Sequence, residues 1–432
     1  MSRKLHRRDF VKGTAAVGVG VWTGLAARES KAANERIAFG CIGVGGKGGS
    51  DSNSASKAGD VVAICDIDDN RLDGATKHYP KAQKFSDYRK LLDKMGKSLD
   101  AVTVSTPDHT HAPASIRAMK LGLHCFCQKP LTHSVYEARQ MAEIAAEKKL
   151  ATQMGNQGTA NSSLREASAI IKSGVLGTIK EIHVWTNRPG GHWTQGVRRP
   201  KPADPPKTLH WDLWLGAAPY RPFGAGYHPF KWRGWWDFGT GALGDMACHT
   251  FNMPYMACDL YDPTSIEATS SGHNKDSYPK WSIIKFAFPA NKIRPAIPVT
   301  WYDGGKRPDK SVLDGKNPPG SGAVVIGTKG KLYGHGDYCG SFSLLGVDKP
   351  KVDFERSPGH FVEFARAIKG GPKARSSFDG YAGGLTETIL LGNLSVWAGK
   401  KIEWDAKKLK ATNATEVEII IRKKYREGFG LG

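Results

Sequence analysis

The run Arg36-Ile37-Ala38-Phe39-Gly40-Cys41-Ile42-Gly43-Val44-Gly45-Gly46-Lys47-Gly48 decides how the chain starts to fold. Ile37 to Ile42 is short, apolar and strand-forming. A G-x-G-x-x-G string, Gly43 to Gly48, follows at once, and a polar stretch of small residues then begins a helix. In that setting the glycines have separate duties. Gly43 permits the tight turn, and Gly45, with Gly46 beside it, lets the backbone approach a pyrophosphate. Gly48 permits close packing of helix on strand. The helix N-terminus beyond them attracts phosphate. A second apolar strand, Asp60 to Asp66, ends in an acid about 20 residues past the loop, where a carboxylate accepts ribose hydroxyls. Asp66 repels a 2′-phosphate and so favours NAD, while Arg71 close by leaves NADP possible.

Working outward, a third strand, Leu99 to Ser105, runs into Thr106-Pro107-Asp108-His109-Thr110-His111, and a helix is expected from Pro113 to Leu121. The strand Leu123 to Cys127 then ends in Gln128-Lys129-Pro130. Strands alternating with helices predict a Rossmann-type, doubly wound parallel sheet whose ligands lie at the carboxyl ends of the strands. Beyond 155 the pattern changes. A polar loop, Asn156-Gln157-Gly158-Thr159, precedes a helix at Ser163–Ser173 and a strand at Ile179–Thr186. A long proline- and aromatic-rich stretch follows, then strands at Ser282–Phe288, Ile297–Tyr302, Ala323–Gly327 and Lys331–Tyr333 and a core helix at Leu385–Gly399. This predicts an α+β domain with a large mixed or antiparallel sheet. The division is 1–33 as an export signal, 34–155 as the dinucleotide domain and 156–432 as the substrate and oligomerisation domain.

The 432 residues are 40% hydrophobic and 24% charged, which excludes a disordered chain. Lys and Arg number 62 against 41 Asp and Glu, a formal +21 that suits acidic partners at modest salt. No basic run interleaves with aromatics and no helix-turn-helix or zinc-finger spacing occurs, so nucleic acid is not expected as a partner. Part of the excess belongs to an address. Arg7-Arg8-Asp9-Phe10-Val11-Lys12, a weakly apolar stretch and Ser30-Lys31-Ala32 resemble a twin-arginine export signal, placing the mature protein outside the cytoplasm with no membrane span left after cleavage. The seven cysteines are odd in number and match neither a zinc pattern nor a disulfide framework, so buried reduced thiols are expected.

Gly43 to Gly48, Asp66, Thr106-Pro107-x-x-x-His111, Gly122 to Pro130 and Asp245-x-x-x-His249 together resemble the Gfo/Idh/MocA family of oxidoreductases. The resemblance implies that Gly43, Gly45, Gly46, Gly48, Asp66, Thr106, Pro107, His111, Gln128 and Lys129 hold NAD(P). It makes Lys129 the catalytic lysine, places Asp245 and His249 beside the nicotinamide, and implies a dimer or tetramer. The family usually has Glu-Lys-Pro where this chain has Gln128-Lys129-Pro130. A neutral amide does not help keep Lys129 charged, so a lowered lysine pKa is expected.

On a helix, Asp245 and His249 share one face at i and i+4, with His249 as proton acceptor or donor near working pH and Asp245 orienting it or binding a sugar hydroxyl. No third ligand is spaced nearby, so no metal is expected. Gln157, Arg188, His192, Tyr227, His228, Lys231, Arg233 and Trp236 are the candidate substrate residues. Of Trp193, Tyr227, Trp232, Trp235 and Trp236, one or two are expected to stack on a sugar and the rest to be core. The expected function is NAD(P)-dependent oxidation of a sugar, glycoside or polyol, neutral or acidic, with a tightly held cofactor because free NAD is scarce outside the cytoplasm. Two alternatives stand beside it: a redox-neutral, NAD-dependent glycosidase, and a non-catalytic sugar-binding module.

Overall fold

The computed structural model describes residues 36–432, so the export-signal reading of 1–33 lies outside the described residues. Strands β1 (Ile37–Ile42), β2 (Gly59–Cys65), β3 (Gln83–Phe85), β4 (Ala101–Val104), β5 (His124–Cys127) and β6 (Thr152–Met154) form one sheet in the order β3-β2-β1-β4-β5-β6. All its neighbouring pairs are parallel. The order reverses between β1 and β4, and the crevice beyond their carboxyl ends is where such sheets take ligands. The helix after the glycine loop, Lys47–Ala58, buries Gly48, Asp51, Ser52 and Ala55, a face of small side chains that lets it lie close to β1.

The sequence places a helix start at Pro113, but the helix runs Asp108–Lys120 with Pro113 inside it. Proline has no N–H to give the carbonyl four residues back, that of His109. Lys423 supplies the missing donor, its Nζ lying 3.1 Å from the His109 carbonyl oxygen. A residue from the far end of the chain therefore makes the proline tolerable.

The second sheet has nine strands: β7 (Ile179–Trp185), β8 (Ser265–Ser270), β9 (Ser282–Phe288), β10 (Ile297–Tyr302), β11 (Gly322–Gly327), β12 (Lys331–His335), β13 (Phe342–Leu345), β14 (Ile402–Asp405) and β15 (Lys410–Ala411). Their order is β13-β12-β11-β7-β10-β9-β8-β14-β15, and only β7 with β10 is parallel, so the sheet is mixed. The helix Gly383–Ala398 lies over the inner face and also packs against the helices Val135–Glu147 and Gly241–Thr250. Its apolar residues favour no one face, and nearly all of it is buried: Leu390, Leu391 and Leu394 are core, and Trp397 packs at its end. All seven cysteines are buried free thiols. Among the described residues no helix is long and apolar enough to cross a membrane.

Candidate active site

The glycine loop has the shape a dinucleotide requires. Gly43 has φ 80°, and a Cβ there would lie 2.6 Å from the Ser105 carbonyl oxygen; one on Gly48 would lie 2.0 Å from that of Gly43. Gly46 precedes the Lys47–Ala58 helix at φ 54° with no side-chain cap, leaving that N-terminus open to an anion. Asp66, at the end of β2, is buried. One of its carboxylate oxygens accepts from the Val44 and Gly45 amides at 3.0 and 3.2 Å, and the other from Asp68 N at 3.1 Å. Burial pushes its carboxyl up, and these hydrogen bonds with the nearby Arg71 pull it back. Arg71 also lies against Gly45, where a Cβ would be 2.4 Å from its Cδ. The donors and the close approaches fit NAD, with Gly43 to Gly48 and Asp66 holding it.

At the other side of the crevice, β5 delivers Gln128 and Lys129. Lys129 Nζ donates to the main-chain carbonyl and to Oδ1 of Asp245, both at 2.9 Å. Arg233 Nε reaches the same Oδ1 at 2.9 Å, and its guanidinium lies over the Phe230 and Trp232 rings, 4.3 and 4.2 Å from their centroids. Burial alone would raise the Asp245 carboxyl; Lys129 and Arg233 outweigh it and hold the group far below the usual carboxylate range. The carboxylate missing at position 128 is thus supplied to Lys129 from another helix. Gln128 turns the other way. Its Nε2 donates at 2.8 Å to Asp51, a buried carboxylate that also takes Ser105 Oγ at 2.8 Å and pairs with Lys47.

Asp245 and His249 do share a face of the helix Gly241–Thr250, yet they do not bond to each other. His249 is 2% exposed, its Nδ1 has no hydrogen-bond partner, and its ring lies 4.5 Å from that of Tyr338. Burial first, and then Lys129, push its pKa well below the ordinary histidine value. This departs from the expectation of titration near working pH: burial keeps the imidazole neutral, which leaves it able to take a proton but makes it a weaker base than an exposed histidine. His111 is likewise not a free ligand: its ring nitrogens lie 2.7 and 2.9 Å from the carbonyl oxygens of Pro130 and Thr106, between the ends of β4 and β5. Thr106 and Pro107 form the turn after β4, with Pro107 preceding the Asp108–Lys120 helix.

Several candidate substrate residues are not brought to this centre. Tyr227 and Trp235 pack with Trp214 and Phe238 in a separate aromatic core. Trp236 is buried too, its ring centroid 3.7 Å from that of Tyr278. Trp193 and Trp232 are buried as well. His228 points to Asp68 beyond β2, 3.5 Å away, and so belongs to the glycine-loop end of the crevice. Gln157, His192 and Lys231 are exposed. Arg188 lies at the end of β7 within electrostatic reach of Tyr338.

Two residues without an expected role stand in the centre. Asp108 is buried; its Oδ2 accepts from Thr240 Oγ1 at 2.7 Å, and its Oδ1 has no partner. Burial, with Asp245 adding and Thr240, Arg233 and Lys129 opposing, pushes its carboxyl up to about 7. The sequence shows it only as a member of Thr106-Pro107-Asp108-His109, and nothing local announces its burial. Tyr338 is 40% exposed against His249. Its loop is anchored through Asp337, which accepts from Thr186 and Thr250 at 3.0 and 3.2 Å. Among the described residues no group of three His, Cys, Asp or Glu side chains is placed to hold a metal.

Comparison with known proteins agrees with this geometry. Residues 37–156 match the oxidoreductase family's NAD-binding Rossmann fold, and residues 160–431 its C-terminal alpha/beta domain. A glycosyl hydrolase family 109 protein of Shewanella sp. (strain ANA-3) is 30% identical over 171 residues, 33% of this chain and 37% of that one. An inositol 2-dehydrogenase of Rubrobacter xylanophilus is 32% identical over 117 residues, 26% and 33% of the two chains. The chain thus spans about a third of the length of the curated relatives it matches. The WlbA dehydrogenase of Chromobacterium violaceum, solved with NADH and UDP-GlcNAcA, superposes with a TM-score of 0.62 at 16% identity, covering 86% of this chain and 97% of that one. With both domain models matched in order, this chain belongs to the Gfo/Idh/MocA family of oxidoreductases, an NAD-binding Rossmann domain followed by the family's C-terminal α/β domain.

Proposed function

We propose that this protein is an NAD-dependent oxidoreductase acting on a hydroxyl-bearing carbon of a sugar, glycoside or related polyol. The observation that carries the reading is Lys129 held by Asp245, which Arg233 also binds, beside a buried neutral His249 at the edge of the dinucleotide crevice. Bound there, the nicotinamide supplies the hydride acceptor. Lys129 has three N–H donors and spends two on Asp245, leaving one for a substrate oxygen. His249, uncharged, takes the hydroxyl proton. Tyr338 offers a ring face and Arg188 and Arg233 offer donors to the rest of the sugar. The twin-arginine-like N-terminus supports export and a cofactor loaded beforehand and kept, and the family resemblance supports a dimer or tetramer.

A second reading is redox-neutral cleavage of a glycoside. Likeness to a family 109 glycosyl hydrolase supports it over a third of the chain. The test begins with undialysed protein, denatured to release any nucleotide, followed by a screen of sugars and aryl glycosides. Lys129→Ala and His249→Ala are each expected to lower kcat at least about 10³-fold with nucleotide content unchanged. Near wild-type rates in both would overturn the site. Aglycone release without added oxidant selects the second reading.

A further inference from the structure

The proline-rich stretch after β7 returns to the cofactor half of the molecule, a contact that the chemistry at Lys129 does not use. Thr208 to His210 pair with the loop that follows Asp66. Asp69 N donates to the Thr208 carbonyl and His210 N to that of Ile67, both at 2.9 Å, the two bonds flanking an antiparallel bridge between Asp68 and Leu209. Side chains add to the pairing. Asn70 Nδ2 donates to Thr208 Oγ1 at 3.1 Å, His210 Nε2 lies 2.9 Å from Asp69 Oδ1, and His228 Nε2 lies 3.5 Å from Asp68 Oδ2.

Behind this strap sits the aromatic cluster of Trp214, Tyr227, Trp235 and Phe238, and it is fastened at two points. On the β2 side, Ile67 packs against it. On the β4 side the anchor is His109, in the first turn of the Asp108–Lys120 helix. Its Nδ1 lies 3.1 Å from the Phe238 carbonyl oxygen and its Nε2 2.9 Å from that of Trp214, and its ring centroid is 5.4 and 5.2 Å from those of the same two side chains. Strand β1, whose carboxyl end carries the glycine loop, lies between β2 and β4 in the sheet. The second domain therefore spans the end of β1 from one neighbour to the other, on the side where Asp66 meets the ribose hydroxyls.

We infer that Thr208 to His210 and the cluster behind them form an arch over the adenosine half of the cofactor. It fixes the loop after Asp66 and keeps NAD from leaving while the arch is closed. The inference rests on the NAD-dependent reading of the crevice and gives its retained cofactor a structural cause. Main-chain pairing between the domains has to break before the loop can move. The arch thus acts on the rate of release, where most differences in affinity between related complexes lie.

NADH fluorescence on the full chain tests it. Wild type, His210→Pro and His210→Gln are loaded with NADH and mixed with excess NAD, and the rate of displacement is read. His210 has φ −75°, within proline's range, and Leu209 before it is held in the β-bridge. His210→Pro therefore deletes the amide donor to Ile67 and the contact with Asp69 without straining the backbone. His210→Gln keeps the amide and a side-chain donor. The expected results are release at least about tenfold faster in His210→Pro and within about twofold of wild type in His210→Gln. Equal rates in all three proteins overturn the arch and leave the redox reading standing, whereas a wild type that takes up no NADH overturns both. Should His210→Pro fail to fold, hydrogen exchange on the wild type decides: NADH should slow exchange at the Asp69 and His210 amides, and unchanged exchange overturns the proposal.

Discussion

Asp108 and Asp245 are both buried near the same two cations, yet Lys129 and Arg233 bond directly only to Asp245; burial therefore prevails at Asp108, up to about 7, and the cations prevail at Asp245, far down. A group whose folded pKa is raised costs stability as pH climbs from its unfolded value near 4 to about 7, and the cost is constant above that. Asp108→Asn preserves the neutral shape and removes this cost. The variant should therefore melt several degrees higher than wild type at pH 8, and the difference should shrink toward pH 5; thermal melts across that range check it. If Asp108 donates a proton in turnover, the same variant loses activity despite its gain in stability. Gln128 invites a complementary test. Gln128→Glu would set a second buried carboxylate 2.8 Å from Asp51, at a cost of about 3 kcal/mol, and Asp51→Asn in the same chain should recover most of it. Urea unfolding of the two single variants and the double variant measures that recovery.

Among the elements, the Asp108–Lys120 helix shows how a local rule yields to a distant partner. Pro113 argues for a helix start when neighbours alone are considered, but Lys423 pairs with the freed His109 carbonyl and with Glu137, which is fully buried, at 2.9 Å. Lys423→Met should cost about 3 kcal/mol, because Glu137 loses its counter-charge. Pro113→Ala restores the intrahelical donor to His109, so in the Lys423→Met background it should return about 1 kcal/mol. Equilibrium unfolding is again the measurement, and strict additivity would show that the carbonyl contact contributes nothing. The Gly241–Thr250 helix makes the complementary point. Its i and i+4 pair was legible from spacing, whereas the partners of Asp245, Lys129 and Arg233, come from two other segments.

Across the whole molecule, burial strips protons from histidines. His109, His111 and His360 are pushed down to about 4, and His133 and His249 lie well below their ordinary value. The unfolded chain binds protons on these side chains below about pH 6.5 while the folded one does not, so stability falls as pH drops from there toward 4, by roughly 1.4 kcal/mol per pH unit for each histidine. Asp108 and Asp303, with raised carboxyls, offset part of this. Scanning melts should show a clear loss between pH 6.5 and 5; a flat profile would mean that the histidines are solvated. The Rossmann half was readable because its signals are local: an apolar strand, glycines whose Cβ atoms would strike backbone, an acid closing the next strand. Lys129, Asp245 and His249 were readable as residues, through motif and helical period. Not readable were β8 and the short strands β3, β6, β13, β14 and β15, which hold through pairing with neighbours rather than through their own pattern. Nor did aromatic density separate a sugar platform from a core. Tyr227 and Trp236 are interior, while Tyr338, alone in a glycine-rich loop, is the ring beside His249. The sequence by itself determined the dinucleotide fold and singled out the candidate site residues, because turn geometry and periodicity act over a few residues. Only the tertiary structure decided their charge states and partners, because burial and ion pairing depend on segments more than 100 residues apart, as with Lys129 and Asp245.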